Sequence, residues 1–205
     1  MTIRLHRGDL PDLSAYKGAV AIDTETMGLD PNRDRLCVVQ LSPGDGSADV
    51  VQIGAGQKKA PNIERLLADA GVTKIFHFAR FDLGILAKTF GVMAQPVYCT
   101  KIASRLARTY TDKHGLKDLA RELLGVDLSK QQQLSDWGAD DLTDAQVSYA
   151  ATDVLHLHAL KERLDAMLAR EGRSDLAAAC FRFLPDRARL DLAGWEAEDI
   201  FSHGL

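Results

Sequence analysis

The chain has 205 residues, 46% of them hydrophobic and 26% charged, with a formal net charge of −4 at pH 7. Those proportions are ordinary for a globular protein and exclude a disordered, collagenous or coiled-coil chain. The acidic balance excludes a protein that grips long nucleic acid nonspecifically through charge alone.

No apolar run approaches the ~18 residues of a membrane span, and Met1 to Leu10 carries charges where a signal peptide would be apolar. The expectation is a cytoplasmic protein with one domain over residues 1–205, of which 171–205 form a C-terminal extension. Cys37, Cys99 and Cys180 are an odd number without CxxC spacing, which argues against a disulfide framework and a zinc knuckle.

In chain order, Met1 to Lys17 reads as a lead-in with at most one edge strand. Ala19 to Thr24 and Leu36 to Leu41 are apolar and β-branched enough for buried strands. The Gly, Pro and Asn between them mark a loop, and SPGDGSAD turns into a third strand at Val50 to Ile53, giving an antiparallel meander. Asn62 is placed as the cap of a helix to about Ala70, and Lys74 to Phe78 returns as a strand, parallel by the crossover rule. Arg80 to Phe90 suits a buried helix closed by Gly91, and Val97 to Cys99 a last short strand. Helices follow at Lys101 to Thr109, Leu116 to Leu124 and, longest, Asp144 to Arg170, where Thr143 and Gln146 form the T-x-x-Q of a capping box. After Gly172 the tail carries Leu184, Leu190, Leu192, Trp195, Ile200 and Phe201, which pack on their own domain or on a neighbour.

The chemistry gathers around Asp23-Thr-Glu25. Alternation along a strand puts both carboxylates on one side, about 7 Å apart. Such a pair is either a solvated turn or a site where protons, cationic side chains or metal ions offset the repulsion. Oxygen ligands without a nearby Cys or His suit a hard cation. Asp82 opens the helix after KIFHF, and a parallel strand there would bring it towards Asp23 and Glu25. Tyr149 and Asp153 stack four apart on one helix face. The window from Thr100 to Arg121 is locally basic and is either a solvated face or a phosphate-facing patch.

Asp23-Thr-Glu25, Asp82 and Tyr149-x-x-x-Asp153, in that order, resemble the three exonuclease motifs of the DEDD superfamily in its tyrosine subclass. HFARFDLGIL and QLSDWGADDLTDAQVSYAATDVLHL are similar to ribonuclease D. The resemblance covers roughly Val20 to Leu168 and implies an α/β, ribonuclease H-like fold, with a mixed five-stranded sheet flanked by helices. It implies two divalent cations, Mg²⁺ or Mn²⁺. Asp23 would bridge both, Glu25 and Asp153 would complete the first, and Asp82 would serve the second through water. Tyr149 would orient the attacking water. The histidine-bearing subclass would need His where Ser148 stands. By the same resemblance Leu29 is a wedge between the last two bases, and the Met27 and Gly28 backbone approaches the terminal nucleotide. His77 meets a phosphate or sugar, and Phe78 stacks, unless it is simply a core aromatic. Arg80 and, in the loop from Lys130 to Gln133 near Trp137, Gln132 are further substrate contacts.

Ribonuclease D carries additional helical domains after the catalytic one, whereas this sequence stops about 50 residues past Asp153. That favours the nano-RNase C type of oligoribonuclease. The implied function is a homo-oligomeric 3′–5′ exoribonuclease that reduces short single-stranded RNA, dinucleotides included, to nucleoside 5′-monophosphates. The alternatives are a general exonuclease on longer RNA or single-stranded DNA, and a catalytically silent nucleic-acid-binding scaffold of the same fold.

Overall fold

The computed structural model describes residues 2–129 and 131–203. Six strands form one mixed sheet: β1 (Thr2–Arg7), β2 (Ala19–Thr26), β3 (Leu36–Ser42), β4 (Ser47–Gln52), β5 (Thr73–Phe76) and β6 (Val97–Cys99), in the spatial order β1-β4-β3-β2-β5-β6. The meander β2-β3-β4 is antiparallel, and β5 and β6 join in parallel beside β2. The expected five strands become six because the lead-in supplies β1, parallel to β4 at the sheet edge. Its six residues, TIRLHR, offer only Ile3 and Leu5 as an alternating apolar pair, and neither is fully buried. It is fastened instead by side chains, with Arg4, His6 and Tyr16 all converging on the buried carboxylate of Asp49.

Two helical layers cover the sheet. On one face lie α1 (Pro61–Ala68), α2 (Ala79–Phe90) and most of α7 (Ser174–Leu190), packed over Val20, Ile22, Val39, Leu41 and Val51. On the other lie α3 (Thr100–Ala107), α5 (Asp144–Leu155) and α6 (Leu157–Arg170), over Ala21, Val38, Val50 and Ile75. Between α3 and α5 the short α4 (Leu116–Leu119) runs on as a π-helical turn, Ala120–Leu124.

Three expectations are corrected. Asn62 does not cap α1. It lies within the helix and its amide reaches the Leu10 carbonyl, while the carboxylate of Asp9 accepts from the Asn62 and Ile63 N–H groups. The cap comes from 53 residues away, so no local pattern could announce it. The single helix Asp144 to Arg170 is two helices, broken at His156 (φ −104°, ψ −6°). The longest helix is instead α7, in the tail, where the sequence shows no clear helical periodicity. Its Ala177, Leu184 and Ala188 are buried in the chain's own cores. The capping box holds, since the Thr143 hydroxyl accepts from the Gln146 N–H and the Gln146 side chain accepts from the Thr143 N–H.

Candidate active site

The site forms where β2 ends. Alternation along β2 sends Asp23 and Glu25 to the face covered by α5, and Thr24 to the face covered by α2. Asp153, on α5, completes a group in which one carboxylate oxygen each from Asp23, Glu25 and Asp153 lies within 4.8 Å of the others. Among the described residues no other three-residue cluster of this kind occurs. A bulge follows at once, where the pairing with β3 slips between Glu25 and Thr26. Bulges recur beside active sites because they re-aim the chain that follows, and here that chain is the turn bearing Met27, Gly28 and Leu29.

Asp82 approaches from the opposite side of the sheet, in the first turn of α2. Its Oδ1 accepts a 2.6 Å hydrogen bond from the Thr24 hydroxyl, and it stands outside the tight trio. Across the ladder, Gln40 on β3 faces Asp23 and donates to its Oδ2 at 3.4 Å. Gln40 is fully buried and its Oε1 has no partner.

Electrostatics set the state of this cluster. Burial raises Asp23 well above the ordinary carboxylate range, reinforced by the charges of Asp82, Asp153 and Glu25. Burial, then Asp153 and Asp82, pushes Glu25 up to about 8. Burial takes Asp82 and Asp153 each to about 7, opposed by hydrogen bonds from Thr24 and Tyr149 respectively. The Tyr149 phenol is raised by burial and then by the Asp153 charge, so it keeps its proton at neutral pH. Carboxylates that resist ionisation when alone become ligands once a divalent cation offsets their repulsion. The donor set, all oxygen, fits Mg²⁺ or Mn²⁺.

These residues line one groove of about 610 Å³ with Met27, Gly28, Leu29, His77 and Phe78. Leu29 is 86% exposed and Met27 60%, unusual for apolar side chains with nothing to cover them. Phe78 is half-exposed and sits at the head of α2 with a left-handed backbone, φ 72°, so it is no core strand residue. His77 is pushed down to about 3 by burial and then by Lys101, and its Nδ1 meets the Thr100 hydroxyl at 2.9 Å. A neutral imidazole suits a sugar hydroxyl better than a phosphate. A Cβ on Gly28 would meet the Asp34 carboxylate at 2.2 Å, which gives a reason for glycine within the loop itself.

Two expected contacts lie off the groove wall. Arg80 is held by Asp191 at 2.5 and 2.6 Å and by the Glu196 carbonyl. Gln132 accepts from Ser135, and its neighbours Gln133, Leu134 and Ser135 line the groove instead. Lys130 lies outside the described residues. Trp137 is buried in the wall, 6.1 Å from the Tyr149 ring. Thr24, Gln40 and Leu134 escaped sequence reasoning. A lone Gln inside the apolar run LCVVQL was the available signal for Gln40.

A family model described as "3'-5' exonuclease" matches residues 10–169. The chain belongs to the 3′–5′ exonuclease family. Ribonuclease D of Acidiphilium cryptum is 38% identical to this exonuclease chain over 182 residues, covering 87% of it and 45% of the relative. The chain thus spans less than half the length of that curated relative. Among solved structures, Brucella melitensis NrnC with bound Mg²⁺ is 63% identical with a TM-score of 0.96. The same protein bound to pGG is 64% identical with a TM-score of 0.97, and both comparisons cover the whole of each chain. The sheet and its helical layers are those of the ribonuclease H-like DEDD exonucleases, with β1 as the additional strand.

Thr24 offers a test of the candidate site that leaves every carboxylate in place. Thr24→Val keeps the shape but leaves Asp82 Oδ1 without its donor in a buried position, a loss worth about 1–3 kcal/mol. The expected result is a roughly tenfold fall in kcat, with Thr24→Ser within about threefold of wild type. Equal rates for Val and Ser would remove Thr24 from any role in setting Asp82.

Proposed function

We propose that this chain is a metal-dependent 3′–5′ exoribonuclease acting on short single-stranded RNA, dinucleotides included, and releasing nucleoside 5′-monophosphates. The observation that carries the reading is the trio Asp23, Glu25 and Asp153, converging within 4.8 Å at the floor of a groove whose rim exposes Leu29, Met27 and Phe78. Acids below and uncovered apolar side chains above suit a nucleic-acid end, with bases against the rim and a phosphodiester over the cations. The short-RNA part is supported by the relative of similar length bound to pGG.

In this reading Asp23, Glu25 and Asp153 hold one cation, and Asp23 with Asp82 a second. When bound, the two ions would lower the pKa of a water and stabilise charge on the phosphoryl and leaving oxygens. The chain's own residues do the placing. Tyr149, protonated and beside Asp153, orients the water rather than deprotonating it. Leu29 parts the terminal base from the preceding one, which fixes the scissile phosphate above Asp23. Thr24 holds Asp82 back from the trio, on the leaving-group side. In hydrolysis the water oxygen joins the phosphorus and the bond to the preceding O3′ breaks. A 5′-monophosphate leaves, and the shortened RNA takes a proton at its 3′ oxygen.

The reading includes a cytoplasmic setting and self-association. The three cysteines are free thiols, and no helix among the described residues is long and apolar enough to cross a membrane. Trp195, Ile200 and Phe201 expose apolar surface at the C-terminal end, of the kind found at interface cores.

The test is a length series of 5′-labelled RNA from two to twenty nucleotides, with a DNA counterpart, in Mg²⁺, Mn²⁺ and EDTA. The expected result is fastest turnover on the shortest RNA and none in EDTA. Activity rising steadily with length, or equal on DNA, would replace the short-RNA reading with a general exonuclease. Binding without product in either metal would replace both with a scaffold.

A further inference from the structure

Beside the catalytic groove lies a second cavity of about 320 Å³, between α3, α7 and the start of α2. Four cations line it, Arg80, Lys101, Arg105 and Arg187, and no carboxylate does among the described residues. In a chain of net charge −4 this is a local reversal of sign. Arg80 and Arg187 share Asp191 outside the cavity. Lys101 and Arg105 stand four apart on one face of α3, and neither forms an ion pair among the described residues. Their basic neighbours differ, since Arg108 is buried against Glu122 and Arg121 pairs with Asp118. The rest of the lining is apolar, chiefly Ile102, Phe183 and Leu184.

Phe78 joins this cavity to the groove, because its ring lines both, and the Lys101 ammonium lies 4.4 Å from the ring centroid. A left-handed backbone at a phenylalanine is strained and persists only where the surroundings over-determine it. Here it holds the ring on the ridge between a cavity of cations and a groove of acids.

We propose that this cavity is a subsite for a nucleotide on the 5′ side of those in the groove. Lys101 and Arg105 take its phosphate, and the apolar floor takes its base. The inference rests on the exoribonuclease reading and adds where a strand longer than the groove continues, over Phe78. Unpaired cations over an apolar floor match a nucleotide, since a phosphate gains charge-assisted hydrogen bonds while the base covers surface that water wets poorly.

The test compares wild type with Lys101→Ala/Arg105→Ala on a dinucleotide and a tetranucleotide of the same 3′ sequence. For the first cleavage of the tetranucleotide, kcat/KM is expected to fall roughly tenfold, as for lost charged hydrogen bonds. Its salt dependence should become shallower, and the dinucleotide should stay within about twofold. Equal losses on both lengths, no loss on either, or a wild type that turns over the dinucleotide and leaves the tetranucleotide intact would each overturn the subsite. Should the wild type cleave neither, the exoribonuclease reading fails, and calorimetry of the intact tetranucleotide decides the cavity alone. Weaker binding by the double variant would support the subsite, and equal binding would overturn it.

Discussion

Asp23→Asn is expected to lose at least about a thousandfold in cleavage rate and, in EDTA at pH 8, to melt several degrees above wild type. The first effect follows from the two-cation proposal, in which Asp23 is the ligand that both ions share. Removing a ligand common to both cations forfeits several kcal/mol of transition-state stabilisation. The second follows from the cluster's own repulsion. Asp23 is raised by burial and by three neighbouring carboxyls, so without a cation its charge opposes folding, and a neutral amide of the same shape removes that opposition. At pH 5, where the cluster is mostly protonated, the two proteins should melt together. Cleavage within tenfold of wild type would end the bridging role, and a variant melting below wild type at pH 8 would end the repulsion account.

The wild type itself should lose stability in EDTA as pH rises from 6.5 to 8, by of the order of 3 kcal/mol, read as about 5–10 °C. In the unfolded chain these carboxyls ionise near pH 4. In the folded chain Asp82 and Asp153 do so at about 7 and Glu25 at about 8. The folded state therefore binds more protons in this window, and stability falls with rising pH. The histidines with lowered values, His77 foremost, act in the opposite direction but below about pH 6.5. Asp49, held at about 2 by Arg4, Tyr16 and His6 against its burial, has given its full contribution well before the window opens. Millimolar Mg²⁺ should flatten the profile, since a cation that binds only the folded state stabilises it most where its ligands are ionised. Melting curves with and without Mg²⁺ measure this directly. A flat profile in EDTA would mean that the carboxyls are not mutually destabilised.

What the sequence disclosed divides by the range of the physics involved. Asp23 and Glu25 were placed on one face by alternation within a single strand, Tyr149 and Asp153 by a single helical turn, and the capping box by a four-residue pattern. Those are local rules: the strand stands where expected, and the helix begins where expected although it ends early, at Leu155. The convergence of Asp82 followed from a crossover rule together with the family resemblance. What stayed hidden depends on contacts distant in the chain. β1 is held by Asp49, α1 is capped by Asp9, and α7 is buried by a sheet laid down a hundred residues earlier. Arg80 illustrates the cost of reading a motif without its surroundings, because the partner that commits it, Asp191, lies in a segment with no pattern of its own.

Asp23 and Glu25 face one helical layer and Thr24, clasping Asp82, faces the other. The acidic cluster is therefore a seam between two cores rather than a fixture of either. A conservative change deep in one layer that slides α2 against α5 alters the spacing of Asp82 from Asp153, even where each core stays well filled. Variants of that sort would keep their melting temperature and lose turnover. Selection for catalysis then acts on the mutual alignment of the layers, and neither hydrophobic core is free to drift by itself.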